Sequence, residues 1–97
     1  MHFEVYFWYE RSVQLLMVID IQSVRPHAGR EVSDWEKNVM VRVLRKQGQI
    51  EPLQVRLIES GIYETFKNDP WGAETLAAAN SLGWKDILIV EMRRYEQ

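Results

Sequence analysis

Apolar and polar residues alternate along 3–9, FEVYFWY, and along 52–59, PLQVRLIE, which is the spacing of strands. In the second segment Leu53, Val55 and Leu57 share one face, and Gln54, Arg56 and Ile58 the other. Residues 13–21, VQLLMVIDI, stay apolar through their middle and predict a buried strand, joined to the first by a tight connection at Glu10 to Ser12. Residues 22–32, QSVRPHAGREV, carry Pro26 and Gly29 and predict a loop. Ser60 and Gly61 predict a hairpin turn, IYETF (62–66) the returning strand, and DILIVEMR (86–93) a last strand.

Two segments repeat at helical spacing. Ser33 and Glu36 have the spacing of a capping box, and Trp35, Val39, Met40, Val43 and Leu44 form the apolar stripe behind it. Gly48 fits the position just past that helix. The second helix is expected over roughly 70–82, with Asp69 as its cap, Pro70 at its opening, Ala77 to Ala79 in close approach to a sheet, and Gly83 at its close. Trp71 and Trp84 bracket it as expected packing anchors. The order is β-β-α-β-β-α-β, which predicts a single α+β domain over 1–97 with one mixed sheet and two main helices.

Bulk composition changes this picture little. The 97 residues are 46% hydrophobic and 27% charged, as in an ordinary globular domain. A net charge of −2 gives no global attraction to nucleic acid. With no cysteine in the chain, disulfides, cysteine nucleophiles and cysteine zinc sites are excluded. His2 and His27 have no metal-ligand spacing, so no metal site is expected. The first residues do not read as a signal peptide and LLMVI is far too short to span a bilayer, which predicts a cytoplasmic protein without a membrane partner.

Three segments in order carry a resemblance: VIDIQSVRPHAGREV, VLRKQGQIEPLQVRL and GIYETFKNDPWGAETLAAANSLGWKDILIV. Together they resemble the N-terminal domain of the ParB family, of the ParB/sulfiredoxin fold, over about residues 17–92. The family's Gly-x-x-x-Pro-Leu/Ile-x-Val segment is matched by Gly48, Pro52, Leu53 and Val55, and its Ala-rich helix with a closing Leu-Gly pair by Leu82 and Gly83. The aromatic strand 3–9 lies outside the resemblance.

The resemblance implies a phosphate-binding box, Gly-Glu-Arg-Arg in ParB proteins, at the start of the second helix. Counted back from Gly83, it falls on Gly72, Ala73, Glu74 and Thr75, with Lys67 to Pro70 inserted before it. Only the Gly matches. Placing the box on KNDPW (67–71) leaves it without arginines as well. The family's arginines and helix N–H groups hold a nucleotide, CTP in ParB and ATP in sulfiredoxin; the sulfiredoxin cysteine has no counterpart here. Losing two arginines removes charge-assisted hydrogen bonds of about 1.5–3 kcal/mol each. Asp69, as a cap, is expected to occupy the N–H groups that a phosphate would use.

These residues define three functional expectations. The first is a stand-alone ParB-like domain acting as a non-catalytic binding or accessory module, of phage, plasmid or other mobile-element origin as the resemblance suggests. It binds a second copy or a protein partner through 3–9, with Phe3, Tyr6 and Trp8 at the interface. The second is an enzyme or nucleotide switch with a remodelled site. There Arg25, His27, Arg30, Gly72 and Thr75 hold phosphate, and Asp69 or Glu74 does metal or general-base work, as in a nuclease. Magnesium and a nucleoside triphosphate are cofactors only under that reading. The third is weak nucleic-acid binding through Arg42, Arg45 and Lys46, off the apolar stripe of the first helix. No helix-turn-helix follows within these 97 residues, so the DNA recognition used in plasmid partition is not expected of them alone.

Overall fold

A computed structural model describes the backbone of residues 6–9 and 12–94 and the side chains of 14–92. Its elements run β1 (Tyr6–Tyr9), β2 (Ser12–Asp20), a 3-10 turn (Ile21–Ser23), β3 (Val24–Arg25), α1 (Asp34–Gln47), β4 (Leu53–Glu59), β5 (Ile62–Thr65), α2 (Gly72–Ser81) and β6 (Asp86–Arg94). The α+β architecture and the seven expected elements are present. The addition is β3, inside the segment read as loop. Two residues are too few to show a period, and β3 exists only because it pairs in parallel with β5.

Among the described residues the strands form one sheet in the order β1-β2-β6-β4-β5-β3. Pairing is antiparallel for β1–β2, β2–β6 and β4–β5, and parallel for β4–β6 and β3–β5, so the sheet is mixed. One face carries Leu15, Met17, Leu53, Val55, Ile87 and Ile89, all buried. Against it pack Leu76, Ala78 and Ala79 of α2 and Met40 and Leu44 of α1. The alternation expected in β4 stops after Val55. A bulge between Leu57 and Glu59 breaks the register there, and both Leu57 and Ile58 are exposed.

Both helices end as their sequences dictate. Ser33 Oγ accepts from Glu36 N at 3.1 Å, and Glu36 Oε1 accepts from Ser33 N at 3.3 Å, a complete capping box. At the end of α2, Gly83 N donates to Asn80 O at 3.1 Å and Trp84 N to Ala79 O at 3.0 Å. This is a Schellman closure, with Gly83 at φ 75°, where a Cβ would be strained. Trp84 then packs against the core as expected.

The α1 stripe needs a correction. Met40 and Leu44 are buried, and Val41 and Val43 pack against the core. Trp35 is 74% exposed and Val39 36%, because α2 and the sheet cover only the middle of a wider apolar face. Trp71 is corrected in the same way: it is 59% exposed and anchors nothing in the core. An unforeseen contact fixes the turn from α1 to β4. The Gln49 side chain donates to Leu88 O at 2.7 Å and accepts from Leu88 N at 2.9 Å, so an amide extends the β4–β6 pairing before the start of β4.

Phe3 lies outside the described residues. The backbones of Tyr6 and Trp8 pair with Leu15 and Val13 in β1–β2, and β1 lies at one edge of the described sheet.

Candidate functional site

The loop between β3 and α1 is tied to the end of β5, folded on itself and joined to the start of α2. Thr65, buried at the end of β5, accepts from His27 N at 3.1 Å. His27 Nδ1 in turn accepts from Gly29 N at 2.9 Å, which shapes the loop so that Arg30 follows. Arg30 then reaches α2. Its Nε donates to Glu74 Oε1 at 3.1 Å, its Nη2 donates to the same oxygen, and Nη2 also lies 3.4 Å from Pro70 O.

Glu74 is the acid of the expected phosphate box, and its side chain is 1% exposed against 31% for Arg30. A carboxylate this deep needs a counter-charge, because an unpaired buried ion is strongly unfavourable. Arg30, 44 residues away in sequence, supplies it. Glu74 Oε2 is buried without a hydrogen-bond partner among the described residues, so there the pair rests on one oxygen. The hydrogen bond and then the charge of Glu74 hold the Arg30 guanidinium above its ordinary range, and Glu36 and Asp69 add to this. Arg30 is thus bound by one carboxylate of its own chain, and two more act on its charge.

Asp69 does not cap α2 as expected. The capping position falls on Trp71, which offers no side-chain hydrogen bond. Pro70 and Trp71 form a turn before the helix begins at Gly72, two residues later than expected. Asp69 Oδ1 accepts from Trp71 N at 3.4 Å and Oδ2 from Gln54 N at 3.2 Å, tying the turn to β4. The carboxylate also presses on Gly72: a Cβ there would lie 2.5 Å from Asp69 Oδ2. A side chain at position 72 would therefore have to displace the Asp69 carboxylate from the helix start.

The remaining expected residues scatter. Arg25 is exposed on β3, in register with Glu64 of β5. Glu64 is itself bound by Arg56 at 3.0 Å. Thr75 is buried and lines a different feature, an apolar groove of about 310 Å³ between α1, residues 48–51 and Trp71. Arg42, Arg45 and Lys46 are exposed on α1. Among the described residues there is no cluster of three His, Asp or Glu able to hold a metal, and no helix long and apolar enough to cross a membrane. Lys67, not anticipated, extends its stem to within 3.7 Å of a Cβ placed on Gly29.

No protein-family model and no curated protein matches this sequence. Solved structures do match in fold. The chain is similar to the C-terminally truncated chromosome-partitioning protein ParB from Caulobacter crescentus, solved with CTP-gamma-S. That match has a TM-score of 0.67 and 18% identity, over 84% of this chain and 46% of that one. It is similar to sulfiredoxin from Arabidopsis thaliana, with a TM-score of 0.64 and 18% identity, over 82% of this chain and 85% of that one. A Pnob8-like ParB-N domain gives a TM-score of 0.62 and 19% identity, over 84% of this chain and 30% of that one. The chain spans less than half of either ParB structure. It has the ParB/sulfiredoxin fold, and at these identities the likeness concerns the fold alone.

Proposed function

We propose that this domain is a non-catalytic binding or accessory module whose former anion site is filled by its own side chains. The observation that carries the reading is the Arg30–Glu74 pair, with Asp69 packed on Gly72. A helix N-terminus attracts phosphate through its free N–H groups and positive dipole end. Here a triphosphate would meet Glu74 and Asp69, and Arg30, the arginine found there among the described residues, is already bound. Like-charge contacts of this kind disfavour an anion.

The ParB neighbour solved with CTP-gamma-S makes a nucleoside triphosphate the ligand to test. Thermal unfolding with CTP, ATP or GTP and magnesium, each at millimolar concentration, is expected to show no shift. A dose-dependent rise in the midpoint would overturn the reading and favour the nucleotide switch.

Association through the N-terminal strand belongs to the same proposal. It is supported by the edge position of β1 and the aromatic content of 3–9. Sedimentation of the Trp8→Glu variant tests it: a self-associating chain is expected to become monomeric, and an unchanged state would remove this interface. The proposed mobile-element origin rests on the ParB likeness and is tested by the genes beside this one.

A further inference from the structure

The groove between α1 and the start of α2 takes no part in the Arg30 contacts. Its floor is Met40, Leu44 and Thr75, all buried. Its rim is apolar and open: Val39, Ile50 and Trp71 are 36%, 65% and 59% exposed. Trp35 stands one helical turn before Val39 and extends the same face of α1. Exposed large apolar residues gathered around one depression mark an interaction site, whereas the same residues scattered singly need no explanation.

The charges beside the groove indicate what fits it. Arg42 and Lys46 lie three and seven residues after Val39, on the flank of the same face, and both are exposed. Neither makes an ion pair among the described residues, although Lys37 on the same helix pairs with Asp34 at 3.7 Å. A row of apolar contacts flanked by unpaired cations is complementary to an amphipathic helix with an acidic edge.

We propose that this groove seats an acidic amphipathic helix of a partner protein, its apolar side chains between Val39 and Trp71 and its acidic edge against Arg42 and Lys46. The proposal rests on the binding-module reading and names the partner's chemistry. Nucleic acid fits less well, because the walls are largely aliphatic and Trp71 is the one aromatic ring among the lining residues. A second copy also fits less well. Its α2 is buried, and the acidic part of α1 is confined to the first turn, Asp34 and Glu36 beside the exposed Trp35, so a copy of α1 brings a basic end with it; the association state separates the two occupants.

The test uses a synthetic fluorescent helix with Leu at i, i+3, i+4 and i+7 and Glu along its flanks, and a matched peptide with Lys in place of Glu. Anisotropy is expected to show saturable binding of the Glu peptide, with the Lys peptide roughly tenfold weaker or worse. Val39→Glu should abolish binding at an unchanged thermal midpoint. The double variant Arg42→Glu, Lys46→Glu should invert the preference between the peptides. The proposal is overturned by no binding, by equal affinity for both peptides or by indifference to Val39→Glu. It is equally overturned if a single-stranded oligonucleotide displaces the peptide, or if the chain self-associates through this face and Val39→Glu separates it. A negative peptide result with no nucleotide binding removes the groove assignment alone. Nucleotide binding at the start of α2 removes the module reading beneath it.

Discussion

The two helices use opposite strategies at their starts. α1 is closed by its own residues: Ser33 and Glu36 satisfy each other's backbone N–H groups within one turn. α2 has no side-chain cap. It is buried on nearly every side, and its first turn depends on Asp69 from the preceding turn and Arg30 from a distant loop. A helix held locally tolerates change elsewhere in the chain. A helix held by tertiary contacts positions remote residues, and it loses its place when they change.

The largest expected effect comes from the core side of α2. Leu76 is buried, and Leu76→Ala should lower stability by about 2–5 kcal/mol, read from the urea midpoint. A loss as small as that of a surface variant would mean that α2 is not held by burial.

The ion pair comes next and sharpens the contrast in sign. Arg30→Ala should destabilise more than Arg42→Ala, because it leaves Glu74 buried and uncompensated. In an Arg30→Met background, Glu74→Leu should raise the thermal midpoint, since replacing both charges by apolar groups is often neutral or stabilising. A further fall would show that Glu74 has another buried partner to lose.

The cap of α1 should give a smaller, local effect. Ser33→Ala is expected to cost about 1 kcal/mol. It also carries a pH signature. Hydrogen bonds from Ser33, backbone first, hold the Glu36 carboxyl below its ordinary range, with a further contribution from Arg30. A depressed carboxyl contributes stability that is fully present above the ordinary carboxylate range and is lost as pH falls through the folded-state value. Ser33→Ala keeps the backbone hydrogen bond that is the larger cause, so only part of its penalty should shrink on acidification through that window, whereas Glu36→Gln should remove this contribution to the pH dependence. A pH dependence of stability left unchanged by Glu36→Gln would remove Glu36 from the cap. The smallest change is expected at the exposed rim, where Trp71→Ser should alter stability by no more than about 0.5 kcal/mol.

What could be read from the sequence follows the same division. Ser33 with Glu36, and Gly83 after Leu82, act within one helical turn, so their spacing carried the structure. Apolar period located α1 but not the width of its covered face, and Trp35 and Val39 therefore emerged on the surface. Asp69 was legible as an acid near a helix start; that it would brace β4 was not, because the Gln54 N–H it accepts belongs to another element. Arg30 and Glu74 each stood out as candidate site residues, while their pairing across 44 residues is a property of the fold. Gln49 had no local signal, since its partner Leu88 is 39 residues away.

The central claim is that the start of α2 is occupied by the chain's own charges. It is tested most directly by following the backbone amides of Gly72, Ala73 and Glu74 by NMR while CTP and magnesium are added. Unmoved resonances at millimolar nucleotide are the expected result. Saturable shifts at these three amides, lost in Arg30→Ala, would contradict it.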